Sequence, residues 1–540
     1  MKLHSRNAAP RRGGYVIFAV LVVVVVLSLV AYRFTESMSA ESRSSARASD
    51  NAQAKLAAVS GLHYAAAVLS DRETFFGDLD GDPFDNPDIF ERVEVPAAGA
   101  TARKKSYFDI RAVALTSTGG YEPRFGVIDE GGKLNINSMI ALDPTGELLY
   151  AALMKLPNMV EDLADAIVDW VDADDVPRVA GAESSEYSSL PNPYKAKNGP
   201  LNSLDELLLV RGVSPEMLYG GDRNRNGVFD EGEISTDRGW SDYLTVYGRE
   251  LNVDMAGTVR TYLNGDNLTN LAQQLINSLG NDDLVTYILA AKLLNVTKTD
   301  ANGNLPGTPV SGTMTTGNGG AIAITFTMQP AQKPVRPASP DELKAAVAAR
   351  AATTFTGGKR IRSLMDLVYT RITIKAATND EPEVVAYSPL LNPDTRAALL
   401  ATLMDKTTVK QAVELVPRIN VNTAPREVLL AVPNMTEAYA DAIIGARADQ
   451  SPTDPATVSG AWVITTAGIP PDVFKRMEKY LTGSTMVYRV QSIGYSEGGG
   501  AVARMEAVID TNQGAPRFLH VRDLTDLENP RGFEPSKPNQ

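Results

Sequence analysis

The 540-residue sequence contains no cysteine, so it can form neither a disulfide nor a zinc site of the cysteine type. It has three histidines, His4, His63 and His520, and none lies beside a carboxylate or nucleophile motif that would suggest a catalytic triad. Phosphate-binding loops and dinucleotide-binding glycine motifs are also missing, and no pair of carboxylates is singled out for hydrolysis. We therefore expect a protein that is not an enzyme.

Positive charge is scarce as well. The chain has 52 Lys and Arg against 65 Asp and Glu, which gives a net charge of -13 and a pI near 5.0. Since affinity for nucleic acid comes largely from Lys and Arg that displace counterions, we expect no nucleic-acid partner. The apolar fraction of 44% is ordinary for globular protein, and the length suffices for two to four domains.

Residues 13–32 form an uncharged, mostly apolar run. As a helix with a rise of about 1.5 Å per residue, this run spans roughly 30 Å, the thickness of the hydrocarbon core of a bilayer. Lys2, Arg6, Arg11 and Arg12 precede it, whereas the remainder of the chain is acidic. The positive-inside rule then predicts a single-pass membrane protein whose N-terminus is cytoplasmic and whose bulk lies on the other side of the membrane.

The small residues Gly13 and Gly14 lie before the apolar run, not after it. A cleaved secretory signal would have a shorter apolar core followed by a small-x-small site. The observed order resembles the leader of type IV pilin-like precursors, which prepilin peptidase cuts after the glycine. We expect cleavage between Gly14 and Tyr15, and a plain uncleaved signal anchor is the alternative.

Residues 33–70 contain no proline and one glycine, so the membrane helix is predicted to continue as a rod. Ala48, Ala52, Leu56 and Val59 give this rod an apolar stripe that could face a sheet or a neighbouring subunit.

Strand patterns follow the rod. They occur at residues 106–115 and 125–128, and again near the C-terminus at 486–495 and 501–510. We expect the C-terminal hairpin to complete the first sheet, which would make the region between them an insertion.

The predicted insertion is helical and internally repetitive. LPNM at 156–159 and VPNM at 432–435 each lead into a similar helix, and each follows an Asn-x-Asn segment, at 134–137 and 419–422. LNVD at 251–254 could open a third, degenerate copy. The copies resemble helix-hairpin-helix units, but Pro-Asn-Met replaces the glycine-rich turn of DNA-binding members and the first copy is strongly acidic, which favours a structural or protein-binding role.

The predicted fold class is α+β, with a long N-terminal transmembrane helix packed on a small antiparallel pilin-type sheet and a large inserted helical region. The predicted divisions are a leader at 1–14, the helix at 15–70, the first part of the sheet at 71–133, a helical domain at 134–250, a degenerate repeat at 251–298, a linker at 299–340 with at most one strand, a second helical region at 341–485, the closing hairpin at 486–528 and a disordered tail at 529–540.

Residues 222–233 have the oxygen spacing of an EF-hand calcium loop. Asp222, Asn224, Asn226, Asp230 and Glu233 occupy positions one, three, five, nine and twelve, with Gly227 at the sixth position and the carbonyl of Val228 at the seventh. Calcium takes several oxygen ligands, and a loop that curls on itself brings these together. The sequence therefore predicts an EF-hand-like calcium site, and a solvated acidic turn is the alternative.

A second acidic group lies upstream. It comprises Asp169, Asp172, Asp174, Asp175, Glu183 and Glu186. Either a further ion or a solvated face would suit it, and the sequence favours the solvated face.

Several motifs together resemble the large minor pseudopilins of type II secretion systems, the general secretion pathway protein K family. They are the Arg-Gly-Gly leader at 12–14, FGVIDE at 125–130 with LNIN at 134–137, AIVDWVDAD at 166–174 and NGPLNSLDEL at 198–207. The resemblance implies a pilin fold with a helical insertion, calcium bound outside the membrane, and a place at the tip of a periplasmic pseudopilus. The implied partners are prepilin peptidase, other minor pseudopilins and the inner-membrane secretion platform.

Ala19 marks the expected filament position. Ordinary pilins have a glutamate at the fifth mature residue, and counting from Tyr15 this chain has Ala19 there. A membrane-tethered DNA receptor, or a minor type IV pilin of an uptake or adhesion system, is the alternative function.

Overall fold

Helix α1 runs without a break from Gly13 to Ser70 in the computed structural model. The structure describes residues 13–96, 105–115, 121–222, 225, 238–305, 308–315, 321–328, 334–352, 358–378, 381–497 and 501–527. At 58 residues α1 is about 87 Å long. Its N-terminal part is apolar and exposed, and its length and composition suit a membrane span.

The C-terminal part of α1 packs on a sheet. Ala54, Ala58, Leu62, Ala65 and Leu69, spaced four or three residues apart, are buried. The predicted stripe is divided: Ala48, Ala52 and Leu56 are exposed, with Leu56 67% exposed, whereas Val59 is half-buried and packs against the core between α1 and the sheet. The sheet is therefore the partner of Val59 and not of the other three residues.

The other helices and strands have the following bounds. The α-helices are α2 (Arg72–Gly77), α3 (Pro87–Phe90), α4 (Ile136–Leu142), α5 (Glu147–Leu153), α6 (Glu161–Val171), α7 (Ser184–Tyr187), α8 (Pro215–Tyr219), α9 (Leu268–Leu279), α10 (Asp282–Leu293), α11 (Pro340–Ala351), α12 (Pro393–Lys406), α13 (Arg426–Leu430), α14 (Glu437–Arg447), α15 (Pro455–Ser459), α16 (Trp462–Thr465) and α17 (Pro471–Met477). The strands are β1 (Val93–Val95), β2 (Ser106–Leu115), β3 (Tyr121–Arg124), β4 (Ile128–Asp129), β5 (Leu134–Asn135), β6 (Leu244–Thr245), β7 (Glu250–Leu251), β8 (Thr261–Tyr262), β9 (Asn295–Lys298), β10 (Thr308–Thr315), β11 (Ala321–Met328), β12 (Val335–Pro337), β13 (Thr370–Lys375), β14 (Glu383–Tyr387), β15 (Thr407–Thr408), β16 (Glu414–Leu415), β17 (Ile419–Asn420), β18 (Leu481–Thr482), β19 (Val487–Ser496), β20 (Val502–Asp510) and β21 (Arg517–Asp523). Short 3-10 helices lie at Glu130–Gly132, Leu204–Leu209, Trp240–Asp242, Leu364–Leu367 and Pro389–Leu391.

The main sheet joins strands from the two ends of the chain. Its order is β1-β2-β19-β20-β21, with β3 added to β2 and β4 to β19. Strand β19 pairs antiparallel with β2, from Gln491 opposite Arg111 to Ser496 opposite Ser106. Everything between β4 and β19 is therefore an insertion, and the predicted fold class is confirmed. The C-terminal part of the sheet has three strands where the sequence analysis expected a hairpin.

A buried ionic group ties the insertion to the sheet. Glu130 Oε1 lies 2.7 Å from Arg489 Nε and 3.2 Å from Lys133 Nζ. Burial alone would raise the pKa of Glu130, but the two cations hold it at about 2. Its neighbour Asp129 accepts hydrogen bonds from Asn420, Thr423 and Thr485 on the far end of the insertion.

The insertion contains three units, and in each unit a short parallel pair of strands joins the start of the unit to its end. The pairs are β5 with β6, β8 with β15, and β17 with β18. The units therefore span residues 134–245, 261–408 and 419–482, here called the first, middle and third units.

One asparagine closes each unit in the same way. It is Asn137, Asn264 or Asn422, three residues after the start of the first strand of its unit. The Asn137 amide donates to Leu201 O and its oxygen accepts from Leu201 N, and Asn264 makes the same pair of bonds with Ile361. Asn422 donates to the Thr457 and Gly483 carbonyls.

Each unit also has a left-handed residue between two helices. Asn158, Gly280 and Asn434 have φ of 57°, 60° and 68° and lie between α5 and α6, α9 and α10, and α13 and α14. The middle unit, which shares the strand pair, the asparagine and the left-handed residue, begins at Thr261. The LNVD segment is wrong as its start, because β7 pairs antiparallel with β16 there. Helix-hairpin-helix identity of the units stays a prediction.

The described parts of the segment predicted as a linker at 299–340 contain more strands than expected. It contains the antiparallel pair β10 and β11, and β12, which adds in parallel to β14. The Thr, Gly and Pro content had suggested a linker, but period-two Thr patterns also suit an exposed hairpin.

Gly494 is where α1 lies closest to the sheet. A methyl group there would lie 2.1 Å from Ala54 O and 2.3 Å from Ala58 N, both backbone atoms of α1. We predict that Gly494→Ala separates α1 from β19 at a cost of about 1–3 kcal/mol, because the helix backbone cannot move aside cheaply. Amides of residues 54–69 should then exchange with deuterium roughly 5- to 150-fold faster.

The matched control is Gly445→Ala. Gly445 lies in α14, and a methyl group there would have no atom of the described chain within 4 Å apart from its chain neighbours and the backbone of its own helix. Exchange in α1 should be unchanged by this substitution. Equal exchange in the two variants would show that the Gly494 contact does not hold the helix.

Candidate metal centre

Helix α6 presents three carboxylates along one face. Asp165, Asp169 and Asp172 are four and three residues apart, and all three are buried. Asp172 is the C-cap residue. A negative charge at a helix C-terminus is disfavoured by the helix dipole, so this position calls for a compensating cation.

Arg178 neutralises only the first of these groups. Its Nε lies 2.8 Å from Asp165 Oδ1, and its guanidinium also reaches Glu147. The backbone N–H of Arg178 donates to Asp169, so the loop after α6 folds back along the helix. Gly181 permits this close return, since a methyl group there would lie 1.8 Å from Asp169 Oδ2.

The returning loop places Glu183 against the end of α6. Carboxylate oxygens of Asp172, Asp174 and Glu183 all lie within 4.8 Å of one another. Glu183 is 2% exposed, and neither of its carboxylate oxygens has a hydrogen-bond partner among the described residues. Asp172 Oδ1 is also buried and also has no hydrogen-bond partner among the described residues. Buried, unpaired carboxylate oxygens are costly, and their grouping here indicates a cation site.

Electrostatics support this interpretation. Burial, together with the charges of Asp169, Asp172 and Asp175, raises the pKa of Glu183 to about 7. Burial and the neighbouring Asp172 and Asp165 likewise raise the pKa of Asp169 to about 6. The carboxylates therefore repel one another, and a bound divalent cation would relieve that repulsion.

Asn198 completes the edge of the cluster. Its side-chain nitrogen donates to Asp174 O at 2.6 Å and to Asp175 Oδ1 at 3.1 Å. Its Oδ1 is buried and has no partner among the described residues. The cluster thus offers carboxylate and amide oxygens only.

All-oxygen ligands suit calcium, which takes six to eight of them at about 2.3–2.6 Å. Asp172, Asp174 and Glu183 would hold the ion, and Asn198 and Asp175 lie beside them. The expectation of a solvated face is therefore wrong for Asp169, Asp172 and Glu183, which are buried. Glu186 does not belong to the site, since its carboxylate pairs with Arg211 at 2.9 Å.

A sequence signal for this burial was present. The acids alternate with Ile167, Val168, Trp170 and Val171, all of which are at most 3% exposed, and Ala182 precedes Glu183. Carboxylates interleaved with core residues cannot all face water. A count of charges along the chain does not indicate this burial.

The predicted EF-hand-like loop is described only in part. Asp222 is buried, and Arg225 lies over the Tyr219 ring with its guanidinium carbon 3.6 Å from the ring centroid. Gly220 and Arg238 form an antiparallel bridge, which brings the two ends of the loop together. Asn224, Asn226, Val228, Asp230 and Glu233 lie outside the described residues, so the loop stays a prediction.

The other predicted positions lie on α1. Gly14 is within the helix, and Tyr15 is 86% exposed. Ala19 lies on the exposed apolar surface, and no acidic residue occurs in α1 before Glu36.

Comparisons with known proteins point to secretion systems. Residues 132–219 match the family model described as type II secretion system (T2SS), protein K. This range contains the whole acidic cluster and ends before the predicted calcium loop.

Two curated relatives carry the name type II secretion system protein K. The Pectobacterium carotovorum protein is 34% identical over 70 residues, 13% of this chain and 21% of the relative. The Pseudomonas aeruginosa protein is 28% identical over 211 residues, 37% of this chain and 58% of the relative. The matched regions thus span less than two thirds of either relative. A crystal structure of the GspK-GspI-GspJ complex from enterotoxigenic Escherichia coli aligns over 89% of this chain and 99% of that chain, with 11% identity and a TM-score of 0.34.

We predict that calcium stabilises the full chain in detergent through Glu183. A free ion at 100 times its dissociation constant adds about 2.7 kcal/mol to the free energy of unfolding. The melting temperature should rise with calcium and fall with chelator. Glu183→Gln should remove the part of the rise that this cluster contributes without lowering the metal-free melting temperature, because the amide also removes repulsion.

Glu186→Gln is the matched control and should keep the full calcium response. Glu233→Ala tests the downstream loop separately. A parent chain whose melting temperature ignores calcium would contradict both sites. A full response in Glu183→Gln would contradict the cluster alone.

Proposed function

Because this chain carries a type II secretion system protein K region, as its motifs predicted, we propose that it is a non-enzymatic minor pseudopilin that takes part in pseudopilus assembly and protein secretion. The observation that carries the proposal is α1, an apolar, exposed helix that continues directly into a rod packed on an antiparallel sheet. This arrangement suits a subunit that leaves the membrane by joining a bundle of similar helices.

The proposed place is the tip of the filament. In ordinary pilins the glutamate at the fifth mature residue neutralises the N-terminal ammonium of a neighbouring subunit. Ala19 supplies no carboxylate, and α1 has none before Glu36. Truncating one partner of a buried ion pair can cost about 3–5 kcal/mol, so a subunit stacked above this one would be poorly held.

The insertion supports the same position. It fills the chain between β4 and β19, whereas the sheet and α1 together form the part that resembles a pilin. An insertion of this size would obstruct another subunit stacked above this one, whereas at the end of a filament it obstructs none.

The exposed stripe of the rod is the proposed contact with other minor pseudopilins. Ala48, Ala52 and Leu56 face away from the sheet and are exposed. We further propose that prepilin peptidase removes residues 1–14, that the mature chain sits in the inner membrane with its bulk in the periplasm, and that it meets the inner-membrane platform there. Calcium at Asp172, Asp174 and Glu183, and in the 222–233 loop, would serve as a structural cofactor.

The DNA-receptor alternative has little support. Helix α6 of the first unit begins with Glu161 and Asp162, continues with two more aspartates and is capped by Asp172. Asparagine, not glycine, occupies the left-handed turn positions 158 and 434. Such a surface would repel a phosphate backbone.

We predict that a photocrosslinker at Leu56 captures pilin-like proteins in cells that assemble the filament. The captured proteins should each have their own prepilin leader and apolar N-terminal helix when identified by mass. Arg47 is the control, because nine residues correspond to two and a half turns and place it on the opposite face of α1.

Crosslinks from Leu56 but few from Arg47 would support docking along the stripe. Equal capture from both positions, or no pilin-like product from either, would contradict it.

A further inference from the structure

A large cavity lies where the middle and third units meet. Its volume is about 540 Å³. The middle unit contributes the start of the 364–367 helix and the end of α12, and the third unit contributes α17 and β18. The segment 407–418, which connects the two units, forms the remaining wall.

The lining of this cavity is basic, although the chain as a whole has a net charge of -13. Seven basic and two acidic side chains line it: Arg260, Arg362, Lys410, Arg418, Lys475, Arg476 and Lys479, against Glu414 and Glu478. A cavity with a basic lining in an otherwise acidic chain favours a negatively charged ligand.

Both acids of the cavity are already engaged. Glu414 pairs with Arg249, and Glu478 accepts a hydrogen bond from Ser363 Oγ at 2.7 Å. Burial also raises the pKa of Glu478 to about 7, so this group is partly protonated at neutral pH. Neither acid therefore offsets the cavity's positive charge.

Four of the cations have no ionic partner in the described part of the chain. Arg418 pairs with Glu250 and Lys475 with Asp366. Arg362, Lys410, Arg476 and Lys479 are exposed and form no ion pair with a described carboxylate. They come from both walls. Arg362 and Lys410 precede β16, and Arg476 and Lys479 lie in or directly after α17.

The floor between these cations is apolar. Met365, Phe474 and Leu481 are each at most 3% exposed, Leu415 is half-buried and Val416 is exposed beside them. A phosphate ion would fill only a small part of this volume, which lies in the range of sites for larger organic ligands. The ligand should therefore combine negative charge with apolar groups.

From this combination we propose that the cavity between the middle and third units binds an acidic peptide segment of a partner protein, one in which Asp or Glu alternate with apolar side chains. The carboxylates contact Arg362, Lys410, Arg476 and Lys479 at the rim, and the apolar side chains lie against Leu415 and Val416, two apolar lining residues that are accessible. The proposal does not depend on the place of the chain in a filament. It gives the middle unit a role, since without that unit one wall is missing.

Single-stranded nucleic acid fits this cavity less well. Such ligands need exposed aromatic rings on which bases stack. The one aromatic side chain in the lining is Phe474, and it is 3% exposed.

The test uses the full chain in neutral detergent and a fluorescein-labelled peptide of about twelve residues in which Glu and Asp alternate with Leu and Phe. A matched peptide carries Gln and Asn in place of the acids. The acidic peptide should bind at low salt, weaken at least about tenfold near 500 mM salt, and outbind the amide peptide by a similar factor.

Charge reversal locates the binding. Arg476→Glu with Lys479→Glu should weaken the acidic peptide by about tenfold or more, and Arg362→Glu with Lys410→Glu, on the other wall, should do the same. The control pair Lys155→Glu and Lys344→Glu changes the net charge equally at exposed sites outside the cavity and should leave binding unchanged.

Equal binding of the acidic and amide peptides, or equal loss in the control pair, would overturn the proposal. The proposal would also be overturned if the acidic peptide fails to bind while a single-stranded oligonucleotide or phosphatidylglycerol vesicles bind and both wall variants abolish that binding.

Discussion

The close contact between α1 and β19 is the constraint on which the rest of the structure depends. At Gly494 the backbone of the strand approaches the backbone of the helix near Ala54 and Ala58, and Gly61 makes a similar approach to Ser492 from the helix side. Because β19 follows the whole insertion, this contact fixes some 350 inserted residues to α1. The Glu130–Arg489 pair then anchors the start of the insertion to the same strand.

The sequence predicted the architecture wherever a pattern is local. The apolar run, the alternating strands and the Asn-x-Asn lead-ins each follow from the period of a helix, a strand or a repeat. The sequence did not predict the features that depend on contacts between residues far apart in the chain. The start of the middle unit at Thr261 was missed because its lead-in matches the others only through the Asn264 bonds to Ile361, far along the chain. The hairpin at β10 and β11 was missed because its composition is that of a linker.

The candidate metal centre shows the same limit. Spacing along the chain predicted the 222–233 loop, in which all the proposed ligands come from one twelve-residue segment. The cluster of Asp172, Asp174 and Glu183 forms only because Arg178 and Gly181 let the loop after α6 return to the helix. Charge counts from the sequence suggested solvent exposure, whereas burial raises the pKa of Glu183 to about 7. In the same way, a basic cavity arises in an acidic chain, from residues that lie more than a hundred positions apart.

The central claim is that the protein ends a filament. Its basis is an apolar helix without the usual carboxylate, joined to an insertion too large to stack. The most direct measurement is electron microscopy of filaments in which this chain carries a gold label on its C-terminal strands. The account predicts label at one end of each filament and none along the shaft. Label distributed evenly along the shaft would contradict it.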